Sequence, residues 1–209
     1  MRVKLINYTE DPVMAMARAA SVCYRSEPSK AVVEKCLEAG HLSIAEFVTF
    51  HFLIEDVSRV LSHQLVRKRM ASYAQESQRY VDMGDNFNYY IPPSVIDNQY
   101  SYKEYTKFMK TANEFYRKLV ETYHIPIEAA RYVIPNAAYT RLHMAINFRS
   151  LMEFCNQRMC IKAQREIWNL AYALKDRVQE VAPFLAGYLR PKCEAIGKCT
   201  EIKSCKDFY

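Results

Sequence analysis

The chain has 209 residues, half of them hydrophobic and a quarter charged, with only 4 glycines and a formal net charge of +6. That profile supports a compact core without help from a metal or disulfide, and it excludes a linker, a disordered tail or a low-complexity fibre. The surplus of cations predicts an anionic partner without separating nucleic acid from nucleotide or phosphorylated cofactor, and the lack of a signal peptide or a long apolar run predicts a cytoplasmic location with no membrane partner.

Residues 2 to 8 alternate as a strand. Asp11-Pro12 then opens a helix through Val13, Met14, Ala17 and Ala20, since proline is tolerated in a first turn. Ser29 is placed to cap a second helix with Val32, Val33, Cys36 and Leu37 on one face, and Gly40 stands where a left-handed residue ends such a helix. The β-branched and aromatic run from Glu46 to Ile54 predicts a half-buried strand. Val57, Val60 and Leu61 begin a helical pattern that continues into Gln64, Val66 and Arg67.

Between Lys68 and Tyr80 helix and strand periods both fail, and a functional loop is expected. Prolines, Asp97 and Asn98 mark a connection from Ile91 to Tyr100. A long amphipathic helix follows, with Tyr105, Phe108, Met109, Ala112, Phe115, Tyr116 and Leu119 at three- and four-residue spacing. Helical spacing already explains this aromatic stripe as core or interface, so base stacking is not needed. Residues 138 to 147 read as a strand, Phe148 to Gln157 as a helix, and Ala163 to Val181 as another helix stopped by Pro183. No repeat or domain boundary interrupts the chain. The expected class is therefore α+β, a mixed or antiparallel sheet with packed helices in a single domain over residues 1–209.

Cys23, Cys36, Cys155, Cys160, Cys193, Cys199 and Cys205 form an odd set without CxxC spacing, as expected of free thiols in a reducing compartment. The evenly spaced trio Cys193, Cys199 and Cys205 has no nearby fourth ligand, and no metal is predicted.

Arg67, Lys68, Arg69 and Arg79 lie among amides and hydroxyls in the segment from His63 to Tyr80. Guanidinium matches phosphate bidentately, and Ser and Gln complete an oxygen shell without adding charge, so the segment reads as a phosphate site. Two further arginine-centred pieces follow: Ala130-Arg131-Tyr-Val-Ile-Pro135, and the stretch from Asn147 to Arg158. In the second, Arg149 and Glu153 share a helix face, whereas Arg158 points to roughly the opposite side. A plain intrahelical salt bridge between Arg149 and Glu153 is the competing explanation for Glu153.

These pieces resemble the flavin-dependent thymidylate synthase family. The match consists of Arg67-Lys68-Arg69, then Ser77 after seven intervening residues and Arg79 two further on, the later string AINFRSLMEFCNQR ending at Arg158, and Gly40-His41-Leu-Ser43 upstream. Lys68 stands where that family usually has histidine, Ala74 where asparagine is frequent, and Phe47 where a histidine commonly follows the glutamate.

The resemblance implies a dUMP site formed by Gln64, Arg67, Gln75, Glu76, Ser77, Gln78, Arg79 and Arg158, with Arg131 reaching in from a neighbouring subunit to hold phosphate. It implies FAD contacts from His41, Ser43, Arg67, Lys68, Arg69, Gln75, Asn147, Arg149 and Glu153. NADPH would reduce FAD, methylenetetrahydrofolate would supply the carbon, and the enzyme would be a homotetramer with active sites shared at subunit interfaces. Arg158 is the expected catalytic residue: a guanidinium beside uracil N3 and O4 stabilises the charge that develops as C5 becomes nucleophilic. A nucleophilic thiol at Cys155 or Cys160, which flank Arg158, is the alternative. At the level of function, the competing readings are a flavin-dependent UMP C5-methylase and a basic nucleic-acid-binding domain.

Overall fold

The computed structural model describes residues 1–84 and 87–205. The chain begins with β1 (Arg2–Tyr8). Asp11 holds a left-handed φ of 42° and accepts a hydrogen bond from the Met14 amide at 3.3 Å, capping α1 (Pro12–Tyr24) with Pro12 in the first turn. Ser29 caps α2 (Lys30–Glu38) by accepting from the Val32 amide, and Gly40 follows at φ 78°, a backbone state that costs glycine least.

The strand expected over 46–54 starts and ends later. A short 3₁₀ segment, Leu42–Phe47, comes first, and β2 is Thr49–Ser58. Burial explains the shift: Ile44 and Ala45 are adjacent and both buried, and strict alternation begins only with Val48, Phe50, Phe52 and Ile54. Positive φ at Asp56 breaks that alternation, and Ser58 then accepts from the Leu61 amide at 3.0 Å to start α3 (Arg59–Leu65).

The segment expected as a loop contains β3 (Ala71–Gln75). Its side chains lack an apolar alternation, so only its pairing with a neighbouring strand defines it. Next come α4 (Pro93–Ile96) and α5 (Gln99–Arg117). Asn98 Oδ1 accepts from the amides of Tyr100 and Ser101 and starts α5 well before the apolar stripe begins. Met109, Ala112 and Tyr116 of that stripe are buried, whereas Phe108 and Phe115 are exposed.

One wider turn, Lys118–Thr122, leads to α6 (Ile127–Ala130) and then to β4 (Tyr139–Asn147). The expected helix at 148 is α7 (Phe148–Arg158), capped by Asn147 Oδ1 on the Ser150 amide at 2.8 Å. After α8 (Arg165–Val181), Pro183 does more than stop a helix, because it opens α9 (Pro183–Ala186); α10 (Lys192–Ile196) comes last.

The four strands form one sheet in the order β1-β2-β4-β3, giving the α+β class expected. The chain divides into two compact units: an α5 unit of Met1–Arg2, Ile54–Leu65 and Ala74–Leu142, and an α7 unit of Val3–Leu53, Val66–Tyr73 and the chain from His143 on. In the α5 unit Phe87, Met109, Ala112 and Ala138 form a core, and Tyr116 donates to Asp82 Oδ1 at 2.8 Å. In the α7 unit Phe50 stacks on Phe52 and meets Phe148 edge-on, each pair 6.2 Å between ring centres. There α8 buries Ile167, Leu170, Ala171, Leu174 and Val178, and each large side chain contributes about 1.5–3 kcal/mol over leaving it exposed. No helix among the described residues is long and apolar enough to cross a membrane.

Candidate functional site

The α5 unit gathers most of the residues expected around dUMP. At the end of β3, Gln75 donates through Nε2 to Ser62 Oγ at 3.0 Å and Thr140 Oγ1 at 3.2 Å. Ser62 and Thr140 are buried, so this amide locks the strand end to α3 and β4. Its nitrogen is therefore committed to the frame, a positioning role that the sequence did not reveal. Glu76 is fixed by its own amide on the Arg141 carbonyl at 2.9 Å and by its carboxylate against Arg141 Nε at 3.0 Å.

Ser77 makes a turn. Its Oγ accepts from the Arg79 amide at 3.2 Å, and its carbonyl accepts from the amides of Tyr80 and Val81. The turn presents Gln78 and Arg79. Arg79 Nε meets Glu128 Oε2 at 2.7 Å, and the Glu128 carbonyl accepts from Arg131 Nε at 3.1 Å, so one glutamate organises both arginines. Gln64, on α3, belongs to the same unit.

Arg59 is the member that sequence reading missed. Its Nη2 donates to the Glu76 carbonyl at 2.9 Å, while its Nε is buried with no hydrogen-bond partner. Burial, followed by the charge of Arg131, pulls its pKa below the usual arginine value, and Glu76 opposes them. A buried guanidinium N–H without an acceptor costs about 1–3 kcal/mol or more. Arg59 sits where β2 becomes α3, outside the arginine-rich loop, and no spacing in the sequence marks it.

The α7 unit holds a second basic group. Lys68 is paired with Glu153, whose carboxylate also lies 3.6 Å from Arg149 Nε, and Arg149 Nη1 reaches Glu46 Oε1 at 2.6 Å. The intrahelical Arg149–Glu153 contact thus exists, but it is the weakest link in a chain of four charges. Tyr73 donates to the Lys68 carbonyl at 3.0 Å, and burial pushes its phenol up to about 12. Asn147 has its Oδ1 occupied in capping α7.

Arg67 and Arg69 are exposed and Arg158 is half-buried at the end of α7; among the described residues none of the three has a carboxylate partner. Ser43 lies in the 3₁₀ segment, and His41 lines a cavity of about 370 Å³ with Tyr24 and Lys35.

Cys155 is fully buried, and burial drives its thiol to about 12 against a smaller opposing pull from Lys175. A thiol held so far above neutral pH supplies almost no thiolate, which removes Cys155 as a nucleophile. Among the described residues no group of three His, Cys, Asp or Glu is arranged to hold a metal ion.

Together, the four-stranded α+β sheet, the Ser77 turn and the arginines around it, with the buried Arg59 Nε lacking an acceptor, are a frame of the kind that suits a phosphorylated ligand. Residues 4–184 match the model of the family described as thymidylate synthase complementing protein. The flavin-dependent thymidylate synthase of Clostridium tetani is 41% identical, covering 96% of this chain and 91% of that protein. Its counterpart in Geobacter sulfurreducens is 38% identical with the same coverage. A crystal structure of thymidylate synthase X from Helicobacter pylori with FAD and dUMP superposes with a TM-score of 0.73 at 25% identity, over 92% of this chain and 99% of that one. The chain belongs to the flavin-dependent thymidylate synthase family. Membership in an enzyme family displaces the reading as a nucleic-acid-binding module.

Proposed function

We infer that the chain catalyses the reductive methylation of dUMP to dTMP, with FAD as cofactor, methylenetetrahydrofolate as carbon donor and NADPH as reductant. The observation that carries this reading is the α5-unit patch, in which Arg59 has a buried Nε lacking an acceptor beside Arg79, Arg131 and the Ser77 turn. A nucleotide phosphate satisfies that donor and outcompetes Glu128 for Arg79. The Arg79–Glu128 pair is more than half exposed on both sides and so contributes at most about 1 kcal/mol, whereas a charge-assisted contact with phosphate contributes about 1.5–3 kcal/mol.

Gln64, Gln75, Glu76, Ser77, Gln78 and Arg79 form the nucleotide side of a homotetramer's site; Arg131, expected from a neighbouring copy, shares Glu128 with Arg79 within this chain and joins the same side. His41, Ser43, Arg67, Lys68, Arg69, Asn147, Arg149 and Glu153 form the flavin side. Arg67 and Arg69, which have no carboxylate partner among the described residues, suit the flavin's pyrophosphate. Lys68, held by Glu153, supplies a fixed cation where a flat ring is usual in the family. When bound, FAD provides the hydride chemistry. Arg158 places a planar guanidinium against the uracil edge and stabilises the negative charge that develops there. Residues 1–209 serve as one functional domain, working in the cytoplasm.

The test is turnover by the purified protein, supplied with FAD, NADPH and methylenetetrahydrofolate, on dUMP and on UMP in parallel. The expected result is dTMP formation with dUMP preferred. A yellow protein that methylates UMP faster would overturn the substrate assignment, and a protein that binds no flavin would overturn the whole reading.

A further inference from the structure

Four of the seven cysteines, Cys160, Cys193, Cys199 and Cys205, line one cavity of about 690 Å³ in the α7 unit, and all four are free thiols. The resemblance uses none of them, and three lie beyond residue 184, where the family match ends. Because no three ligating groups among the described residues stand close enough to hold a metal, the thiols ring the cavity without converging on an ion.

A separate contact singles out one pair. Lys162 Nζ donates a hydrogen bond to the Lys203 carbonyl, joining the turn after α7 to the C-terminal segment. Cys160 precedes that contact by two residues on one side, and Cys205 follows it by two on the other. Two residues of chain reach about 7 Å at most, so both thiols hang on short arms from the same junction. Both are half-buried, and both face the same cavity. A disulfide needs Cα atoms about 4.4–6.8 Å apart, so closure requires the terminal segment to bring Cys205 to that distance from Cys160.

We propose that Cys160 and Cys205 form a reversible disulfide when the protein meets a small disulfide oxidant such as oxidised glutathione, closing residues 160–205 into a covalent loop across the cavity. One protein thiolate attacks a sulfur of the oxidant, forming a mixed disulfide and expelling one small thiol. The second protein thiol then attacks the protein sulfur of that mixed disulfide and expels the other small thiol. The two cysteines are oxidised, the small disulfide is reduced to two thiols, and the two protons leaving the protein end on those thiols. In a reducing compartment the open dithiol is the resting form. Cys160 lies two residues beyond Arg158, so the closed form anchors the chain directly after the proposed catalytic arginine.

The experiment treats the full-length protein with oxidised glutathione, quenches it with acid and maps peptides without reduction. The expected outcome is a loss of two hydrogen atoms in intact mass, a peptide pair joining Cys160 to Cys205, reversal by dithiothreitol, and about tenfold slower protease cleavage within 191–205, since cleavage follows opening of the segment. In Cys205→Ser the same treatment leaves a stable glutathione adduct on Cys160, whereas Cys23→Ser, changed at an exposed cysteine outside the cavity, closes as before. A map joining other cysteines, glutathione adducts alone on the unaltered chain, or an unchanged mass would overturn the proposal.

Discussion

In the α5 unit Arg59, Arg79, Arg131 and Arg141 each reach a carbonyl or a carboxylate, while in the α7 unit Lys68 and Arg149 are clamped by Glu153 and Glu46 and the neighbouring Arg67, Arg69 and Arg158 reach no carboxylate among the described residues. The first arrangement aims cations before a ligand arrives, through contacts weak enough to surrender. The second separates cations that hold the frame from cations left to a ligand. A side chain already paired loses less freedom on binding, and an unpaired one brings its full charge to a ligand. The contrast teaches that the same residue type, arginine, is either a positioning group or a contact group according to what stands beside it.

The sharpest way to break the comparison is Arg158→Lys. An ammonium lacks the planar fork, so kcat should fall about 100-fold or more while FAD absorbance survives gel filtration. Loss of FAD in that variant would move Arg158 from the uracil edge into the flavin group. Next is Arg79→Ala, which removes one charge-assisted phosphate contact of about 1.5–3 kcal/mol; KM for dUMP should rise about 10- to 100-fold with FAD affinity unchanged. Equal weakening of both ligands would erase the division of labour between the units.

A smaller effect is expected from Lys68→Met. It leaves Glu153 beside Arg149 and removes a cation from the flavin group, so FAD affinity should drop several-fold, on the order of 1 kcal/mol by titration, with KM for dUMP unmoved. The smallest is Glu128→Gln, which removes the internal competitor for Arg79. Affinity for dUMP should rise at most a few-fold, by less than about 1 kcal/mol, and the gain should shrink as salt is raised. A large loss instead would mean that Glu128 is required to aim Arg79.

Much of the fold was legible because local signals agree with it. Asp11, Ser29 and Gly40 act at helix ends as their chemistry predicts, and α7 and α8 follow their apolar periods. β3 was not legible, since a polar strand shows no alternation. The start of α5 was not either, because the Asn98 cap lies ahead of the apolar stripe. In the candidate site, Ser77 and Arg79 stand out in sequence through their spacing, whereas Arg59 does not, because its importance comes from burial beside a residue 72 positions later in the chain, Arg131.

The amino-acid sequence alone determined the class of fold, the concentration of phosphate-seeking side chains between Arg67 and Arg79, and the order of motifs that marks the family, because each is carried by neighbouring residues whose propensities and charges act locally. Tertiary structure alone decided which cations are paired, which thiol is too deeply buried to ionise, and which buried donor still lacks an acceptor. Those properties belong to distances between residues remote in the chain and to the desolvation they share, and no local pattern records either.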